Sequence, residues 1–333
     1  MREPGAGDSA AGGPTLVIPP HLVRRAILLF VAAVVVYAVI ALLADAPKLV
    51  AALVAFHWAA LPVAIALTLG NYGLRFLRWS YFLRVVGLEV PVRQSLPIFL
   101  SGLGMAITPG KLGELIKSHL LREAHGTPLS VSAPVVLADR LTDLLAMLVL
   151  ALGGLLSRDG GPVLAIVVLL VCLGTIQLLR WRRAADGVLG LLARAPVIGR
   201  RSDAIRALYE SSFLLLGPGP LLVSTVISTI AWLCECIALY VILLGLGLPA
   251  SWSLGIEATY AYALSTLIGA VTLLPGGLGA QELSLASLLL FAGMGVTREQ
   301  AATATILVRL VTFWLGIAIG LAALAYSLRT SRR

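Results

Sequence analysis

Long stretches with almost no charge constrain this chain more than any motif does. Apolar runs lie near residues 26–44, 48–70, 95–108, 131–156, 162–179, 219–246, 254–274, 277–294 and 302–327. A bilayer core needs roughly 20 apolar helical residues per crossing, and several of these runs reach that length. The composition agrees: 59% of the 333 residues are hydrophobic and 12% are charged, against about 25% charged in soluble domains. Mean hydropathy is +0.98. A soluble enzyme, a disordered chain and a fibrous repeat are therefore excluded, and the expected class is an all-α polytopic membrane protein. The net charge of +9 would hint at nucleic acid in a soluble protein. Here Lys and Arg read as markers of cytoplasmic loops, and no nucleic-acid partner is expected.

Two regions do not fit a simple count of spans. After Pro109 only about a dozen residues precede Arg122, roughly 18 Å of helix, too short to cross. Residues 254–294 are broken at Leu274-Pro275-Gly276-Gly277. Proline removes a backbone donor and glycine loosens the helix, so both points read as breaks. Arginines follow the second apolar run (Arg75, Arg78, Arg84, Arg93), follow the fifth (Arg180 to Arg206) and end the chain (Arg329, Arg332, Arg333). The positive-inside rule is satisfied with both termini cytoplasmic, about six full crossings, and two re-entrant hairpins, 95–122 from the inside and 254–294 from the outside. Versions with eight to ten spans keep the same end points. Residues 1–23, rich in Gly, Ala and Pro, read as a disordered cytoplasmic tail ahead of a membrane domain over 24–328. Its basic loop, 180–216, has a second half that can form an amphipathic helix on the inner surface.

The two broken segments resemble each other. Thr108-Pro109-Gly110-Lys111-Leu112-Gly113-Glu114 is matched by Leu274-Pro275-Gly276-Gly277-Leu278-Gly279 and then Glu282. An arginine follows each proline at a similar offset, Arg140 after 31 residues and Arg309 after 34. This points to a duplication, 24–157 and 162–328, each half with three crossings and one hairpin. An odd number of crossings inverts the second copy, the architecture of many transporters in which broken helices meet near the midplane.

The expected substrate-binding residues are charges inside apolar segments and the glycines of the breaks. Isolated intramembrane charge is costly and faces a cavity or a partner. Asp139 and Asp143 share a helix face, and Arg140 lies three residues before Asp143. Glu235 and Arg309 each stand alone in a run, so Glu235 or Glu282 is offered as the partner of Arg309. Arg75 and Arg78 share a face and can hold a lipid phosphate near the inner leaflet. Gly110, Gly276 and Gly277 let an anion approach the restarted helix ends, and Lys111 adds a charge. Glu114 and Glu282 also suit plain helix caps. The three cysteines and four histidines have no metal spacing, and no hydrolase, nucleotide or dinucleotide motif is present. No metal, cofactor or catalytic residue is expected.

RFLRW, TPGKLGELIKSHLL, DRLTDLL and LPGGLGAQELSL, in this order, resemble the flippase-like family, also called the lysylphosphatidylglycerol synthase transmembrane domain family. The resemblance covers roughly residues 25–327. It implies a plasma-membrane protein that moves an anionic or lipid-linked substrate, an aminoacyl-phospholipid or a polyprenyl-phosphate sugar. Its partners would be membrane lipids, and the alternative is a scaffold for a glycosyltransferase or lipid synthase. The sequence ends at Arg333 without a transferase segment, so synthesis of the aminoacyl lipid by this chain is not expected. Arg75, Arg78, Lys111, Glu114, Asp139, Arg140 and Glu282 fall at the family's motif positions.

Overall fold

The computed structural model describes residues 46–108, 113–156 and 202–330 apart from 292 and 294, with isolated positions between 163 and 177. The readings made for 1–23, for the first run, for Gly110 and Lys111, and for most of 157–201 lie outside these residues. Every described element is helical: α1 Ala46–Ala55, α2 Ala60–Val85, α3 Val92–Gly104, α4 Ile116–His125, α5 Leu129–Leu155, α6 Ser202–Leu215, α7 Pro218–Gly245, α8 Trp252–Val271, α9 Ala280–Phe291, α10 Arg298–Arg309 and α11 Leu315–Thr330. The last two are joined by a π-helical stretch, Leu310–Trp314.

Helix ends follow local chemistry. Pro218 starts α7 at a position that has no amide to lose. Ser251 caps α8 by accepting from the Leu254 amide at 3.1 Å. Thr297 and Gln300 form a capping box on α10.

Among the described residues, four helices are long and apolar enough to cross a membrane: α2, α7, α8 and the continuous α10–α11. Helix α5 has 27 residues but carries Asp139, Arg140 and Asp143. Helices α3, α4 and α9 have 13, 10 and 12 residues, or about 15–20 Å at 1.5 Å per residue, too short to span.

One sequence expectation is corrected. The run 48–70 is not one span: it is interrupted between Ala55 and Ala60, and α2 then continues to Val85. Arg75 and Arg78 therefore do not follow a span in a cytoplasmic loop but lie buried inside it. Hydropathy ends a helix at the first arginines because it does not see their carboxylate partners on α5. In the second hairpin the first arm, α8, has 20 residues, as the run 254–274 predicts, and only α9 is short.

The helices pack as two interlocked copies. Helices α1–α5 correspond to α6–α11, with α10 and α11 together matching α5. Helix α2 packs on its counterpart α7; α3 packs on α11 as α8 packs on α5; α1 packs on α10 as α6 packs on α5. Each contact has its mate, which is the pattern of an isologous two-fold interface within one chain.

The hairpins enter from opposite ends. The His57 amide donates to the Gly245 carbonyl at 2.9 Å and Gln300 Nε2 donates to the Leu246 carbonyl at 3.1 Å. The starts of α2 and α10 and the end of α7 thus share one end, where α8 begins. At the other end, Trp79 Nε1 donates to Ser95 Oγ at 3.1 Å, tying α3 to the C-terminal half of α2. The 3₁₀ turns Met105–Ile107 and Pro275–Gly277, where the hairpins break, touch each other inside the bundle.

An apolar core surrounds each hairpin. Trp79, Phe82, Phe99, Leu121 and Val135 form one; Leu239, Ile242, Tyr262, Leu285 and Val308 belong to the other. The buried polar side chains lie between them. Helices α3 and α11 touch backbone to backbone: a Cβ on Gly320 would sit 2.6 Å from Gly104 Cα and 2.8 Å from the Leu100 carbonyl oxygen. Gly320→Val is expected to force this seam apart and to cost about 1–3 kcal/mol. Thermal unfolding of the detergent-solubilised protein checks this, and an unchanged midpoint would contradict the contact.

Candidate functional site

The site begins on α2. Asn71, Tyr72, Arg75 and Arg78 follow helical spacing and form one polar stripe turned into the bundle. Asn71 Nδ2 donates to the Ala231 carbonyl at 2.8 Å, which fixes α2 against α7. Arg78 is 1% exposed. Its Nε donates to Asp139 Oδ1 at 3.1 Å and its Nη1 to Asp143 Oδ1 at 2.7 Å, and Nη1 also donates to Ser228 Oγ. Trp232 Nε1 donates to the same Asp143 oxygen at 2.8 Å. The shared face of Asp139 and Asp143, one helical turn apart, becomes a two-toothed receptor for one guanidinium.

Lys117 of α4 completes the first cluster. Its Nζ lies 3.1 Å from Asp139 Oδ2 and 3.4 Å from Glu114 Oε2, and stands 4.7 Å from the centre of the Trp79 ring, within cation–π range. Gly102 leaves the space: a Cβ there would meet Lys117 Cδ at 2.8 Å. Arg140 Nη2 reaches Glu114 Oε2 at 2.9 Å and Asp143 Oδ2 at 3.3 Å. Four cations (Arg75, Arg78, Lys117, Arg140) thus meet three carboxylates (Glu114, Asp139, Asp143).

The second cluster is the counterpart of the Glu114–Arg140 pair. Arg309 Nε donates to Glu282 Oε1 at 2.6 Å, Nη1 to Gln281 Oε1 at 2.9 Å, and Nη2 to the Gly276 carbonyl at 2.9 Å. Of the two carboxylates offered by the sequence, Glu282 is the one bonded to Arg309. The other oxygen of Glu282 accepts from the Gly279 amide at 2.8 Å, so this residue both caps the restarted helix and holds the arginine. Arg309 also lies 4.2 Å from the Phe313 ring centre. Gly276 has φ +61, and a Cβ there would lie 2.2 Å from Phe313 Cζ. Glycine at this break is needed twice over, for the backbone and for the ring. Gly277 is buried beside it.

Glu235 sits apart from both clusters. Its Oε2 accepts from the Tyr262 hydroxyl at 2.6 Å. Tyr262 also lies 3.5 Å from Thr312 Oγ1, and the Tyr72 hydroxyl donates to the Thr312 carbonyl. Thr312 belongs to the π-helical stretch, a type of irregularity often found at functional sites.

These groups enclose two adjoining spaces. A cavity of about 60 Å³ is bounded by Tyr72, Arg75, Glu235, Tyr262, Arg309 and Thr312 among others. A larger space of about 210 Å³ has Arg140 and Asp143 at its polar end. Trp232, Thr266, Gly276 and Gln281 line both. Arg75 faces the smaller cavity with its guanidinium least engaged. Its Nη2 is 3.8 Å from Asp143 Oδ2, its Nε is buried without a hydrogen-bond partner, and its face lies over Trp232 at 5.5 Å. That N–H can donate to an anion at no cost to an existing bond. Among the described residues no group of His, Cys, Asp and Glu is arranged to hold a metal ion.

The structure therefore brings together Arg75, Arg78, Glu114, Asp139, Arg140 and Asp143 in one cluster and Gly276, Gly277, Glu282 and Arg309 in the other, with Glu235 on the wall between. Arg75 and Arg78 lie buried in the C-terminal half of α2, facing their carboxylate partners on α5. Sequence reading missed Lys117, Trp232, Tyr72, Tyr262 and Gln281. Lys117 carried a signal, three residues after Glu114; the aromatic and amide side chains carried none that separates them from core residues.

Residues 29–320 match the Lysylphosphatidylglycerol synthase TM region family, and the chain belongs to it. Two proteins of Methanothermobacter thermautotrophicus, each described as a UPF0104 membrane protein, are similar to the chain. One is 25% identical over 305 residues, covering 82% of this chain and 85% of its own length. The other is 28% identical over 289 residues, covering 79% and 84%. The UPF0104 membrane protein MJ1078 of Methanocaldococcus jannaschii is 25% identical over 211 residues, covering 63% of this chain and 87% of its own.

The Glu282–Arg309 pair tests the energetics of the polar layer. Removing one partner leaves a buried charge uncompensated, at about 3–5 kcal/mol, whereas replacing both by apolar residues of similar size is far milder. Glu282→Leu alone is expected to destabilise strongly, and Glu282→Leu with Arg309→Met to recover most of the loss. Additive losses in a double-mutant cycle of unfolding in detergent would show the two side chains to be uncoupled.

Proposed function

We propose that this member of the lysylphosphatidylglycerol synthase transmembrane family is a transporter. Its substrate would be an anionic or lipid-linked headgroup carried across the plasma membrane, an aminoacyl-phospholipid or a polyprenyl-phosphate sugar. One observation carries this reading: two broken-helix hairpins enter the bundle from opposite ends and meet at a buried cavity lined by Arg75, whose Nε has no hydrogen-bond partner. Irregular backbone at membrane depth is tolerated only inside protein or along a polar cavity, and inverted repeats place substrate sites where such helices meet.

The end of the bundle that carries Arg84, Arg93 and Arg122 is the cytoplasmic one by the positive-inside rule. The first hairpin then enters from the cytoplasm, and the second starts outside with the long arm α8 and turns back through the short α9. The 60 Å³ cavity has room for about two waters, less than a headgroup, so this conformation is the closed one. Transport requires the two hairpins to part in turn. The Arg309 clasp, with its three hydrogen bonds, holds the second hairpin shut, and Glu114 with Arg140 does the same for the first.

The test is reconstitution into phosphatidylcholine vesicles containing a headgroup-labelled fluorescent phosphatidylglycerol, with dithionite added outside. Protein-dependent loss of the protected fluorescence is expected. Arg75→Gln should slow it about 10- to 100-fold, the kinetic equivalent of about 1.5–3 kcal/mol for a charged hydrogen bond. Arg84→Gln, at the exposed end of α2, should leave it unchanged. Wild-type rates in the Arg75 variant would remove Arg75 from the path, and no protein-dependent flipping of this or an aminoacylated lipid would remove the transport reading.

A further inference from the structure

The 210 Å³ space is amphipathic, and its two ends differ. Its inner end holds Arg140 and Asp143, with Trp232 and Gln281 on the wall shared with the smaller cavity. Its outer part lies between α5 and α8 and is apolar, lined by Leu144 and Met147 on one side and Leu267, Leu273 and Leu274 on the other. The mouth faces outward: Leu144 is 38% exposed, Leu273 65% and Leu274 44%. A purely aqueous entrance would not be walled by leucine, and a plain core would not be open.

Two further details concern this mouth. Leu273 has φ +52, the one positive φ on a non-glycine residue among those described. Such a conformation is costly for a side chain with a Cβ and persists where the surroundings enforce it, commonly at functional sites. At the inner end, Arg140 Nε and Nη2 are both buried without a hydrogen-bond partner, with Nη2 within ion-pair distance of Glu114 and Asp143. The arginine therefore has a free donor on a guanidinium already held in place.

We propose that this slot is a lateral binding site for a phosphate-bearing lipid, its chain between α5 and α8 and its phosphate at Arg140. The proposal rests on the transport reading above and names where the substrate of that site enters. The occupant is a membrane amphiphile and not a free anion, because the only apolar wall of the space opens to the side of the bundle, where a chain would lie. Leu273 and Leu274 form the threshold that the chain crosses. Trp232 and Gln281 separate the phosphate from the inner cavity, where Arg75 waits.

Photo-crosslinking of the full chain tests the slot directly. The protein is reconstituted in phosphatidylcholine vesicles with a few mole per cent of phosphatidylglycerol carrying a diazirine on one acyl chain, irradiated, and mapped by peptide mass spectrometry. Adducts are expected to concentrate on 144–147 and 267–274, to fall about tenfold in Arg140→Gln, and to be weak when the probe carries a choline headgroup. A tail-less competitor, glycerol phosphate at millimolar concentration, should not reduce them; if it does, the site takes a free phosphate and the lipid assignment is wrong. Leu144→Trp fills the mouth without touching a charge. It should abolish adducts on 267–274 while keeping the wild-type melting temperature, so the test stands even if Arg140→Gln does not fold. Adducts spread evenly over lipid-facing positions such as Leu222 and Val226 of α7 would overturn the proposal, as would slot adducts indifferent to Leu144→Trp. Flipping without slot adducts would sink the slot and leave transport standing; slot adducts without flipping would do the reverse.

Discussion

Arg78 is the group on which the rest of the arrangement depends. A guanidinium at the centre of a membrane bundle is tolerated only with its donors filled. Asp139 and Asp143 fill them from α5 and Ser228 from α7. One side chain thus fixes three helices at one depth. Once Asp139 is placed, Lys117 can be neutralised, and α4 docks. Once Asp143 is placed, the indole N–H of Trp232 has an acceptor, and the wall between the two cavities is set. The apolar cores above and below are interchangeable Leu, Val and Ala packing in comparison; they seal the layer but do not choose its register.

The two-fold relation between the halves is carried by contacts, and the chemistry follows it only in part. Each half places a glutamate on the helix after its break and an arginine on the long helix that follows, giving Glu114–Arg140 and Glu282–Arg309. The second pair is saturated, with Gln281 and the Gly276 carbonyl completing the arginine's bonds. The first is shared with Lys117 and Asp143. The stripe on α2 has no charged equivalent on α7 beyond Glu235. The two halves share a frame, and the buried positive charge among the described residues is concentrated in the first.

Much of this was legible in the amino-acid sequence, and the failures have physical causes. The class followed from hydropathy, and the repeat from the Pro-Gly breaks and the arginines behind them. Arg309 was recognisable as a charge in need of a partner. What hydropathy misplaced was α2: a window average takes Arg75 and Arg78 for a helix end, since it assigns each charge its cost in lipid without its partner 60 residues away. The length of α8 was legible, because the run 254–274 ends at Pro275 and the helix covers nearly the same residues, Trp252–Val271. Tyr72, Trp232 and Tyr262 were invisible because an aromatic residue at helical spacing is the same signal whether its polar tip is bonded to Asp143, to Glu235 or to nothing.

The seam between α3 and α11 and the seam between α5 and α8 are symmetry mates, yet they are built differently. One is closed by two glycines whose backbones touch. The other contains a slot walled by leucine. The leucine seam still has a close approach of its own, since a Cβ on Gly154 of α5 would meet Tyr260 Cβ of α8 at 2.5 Å. The slot therefore opens beside a tight helix contact, so α5 and α8 can stay packed along one stretch while leaving space along another.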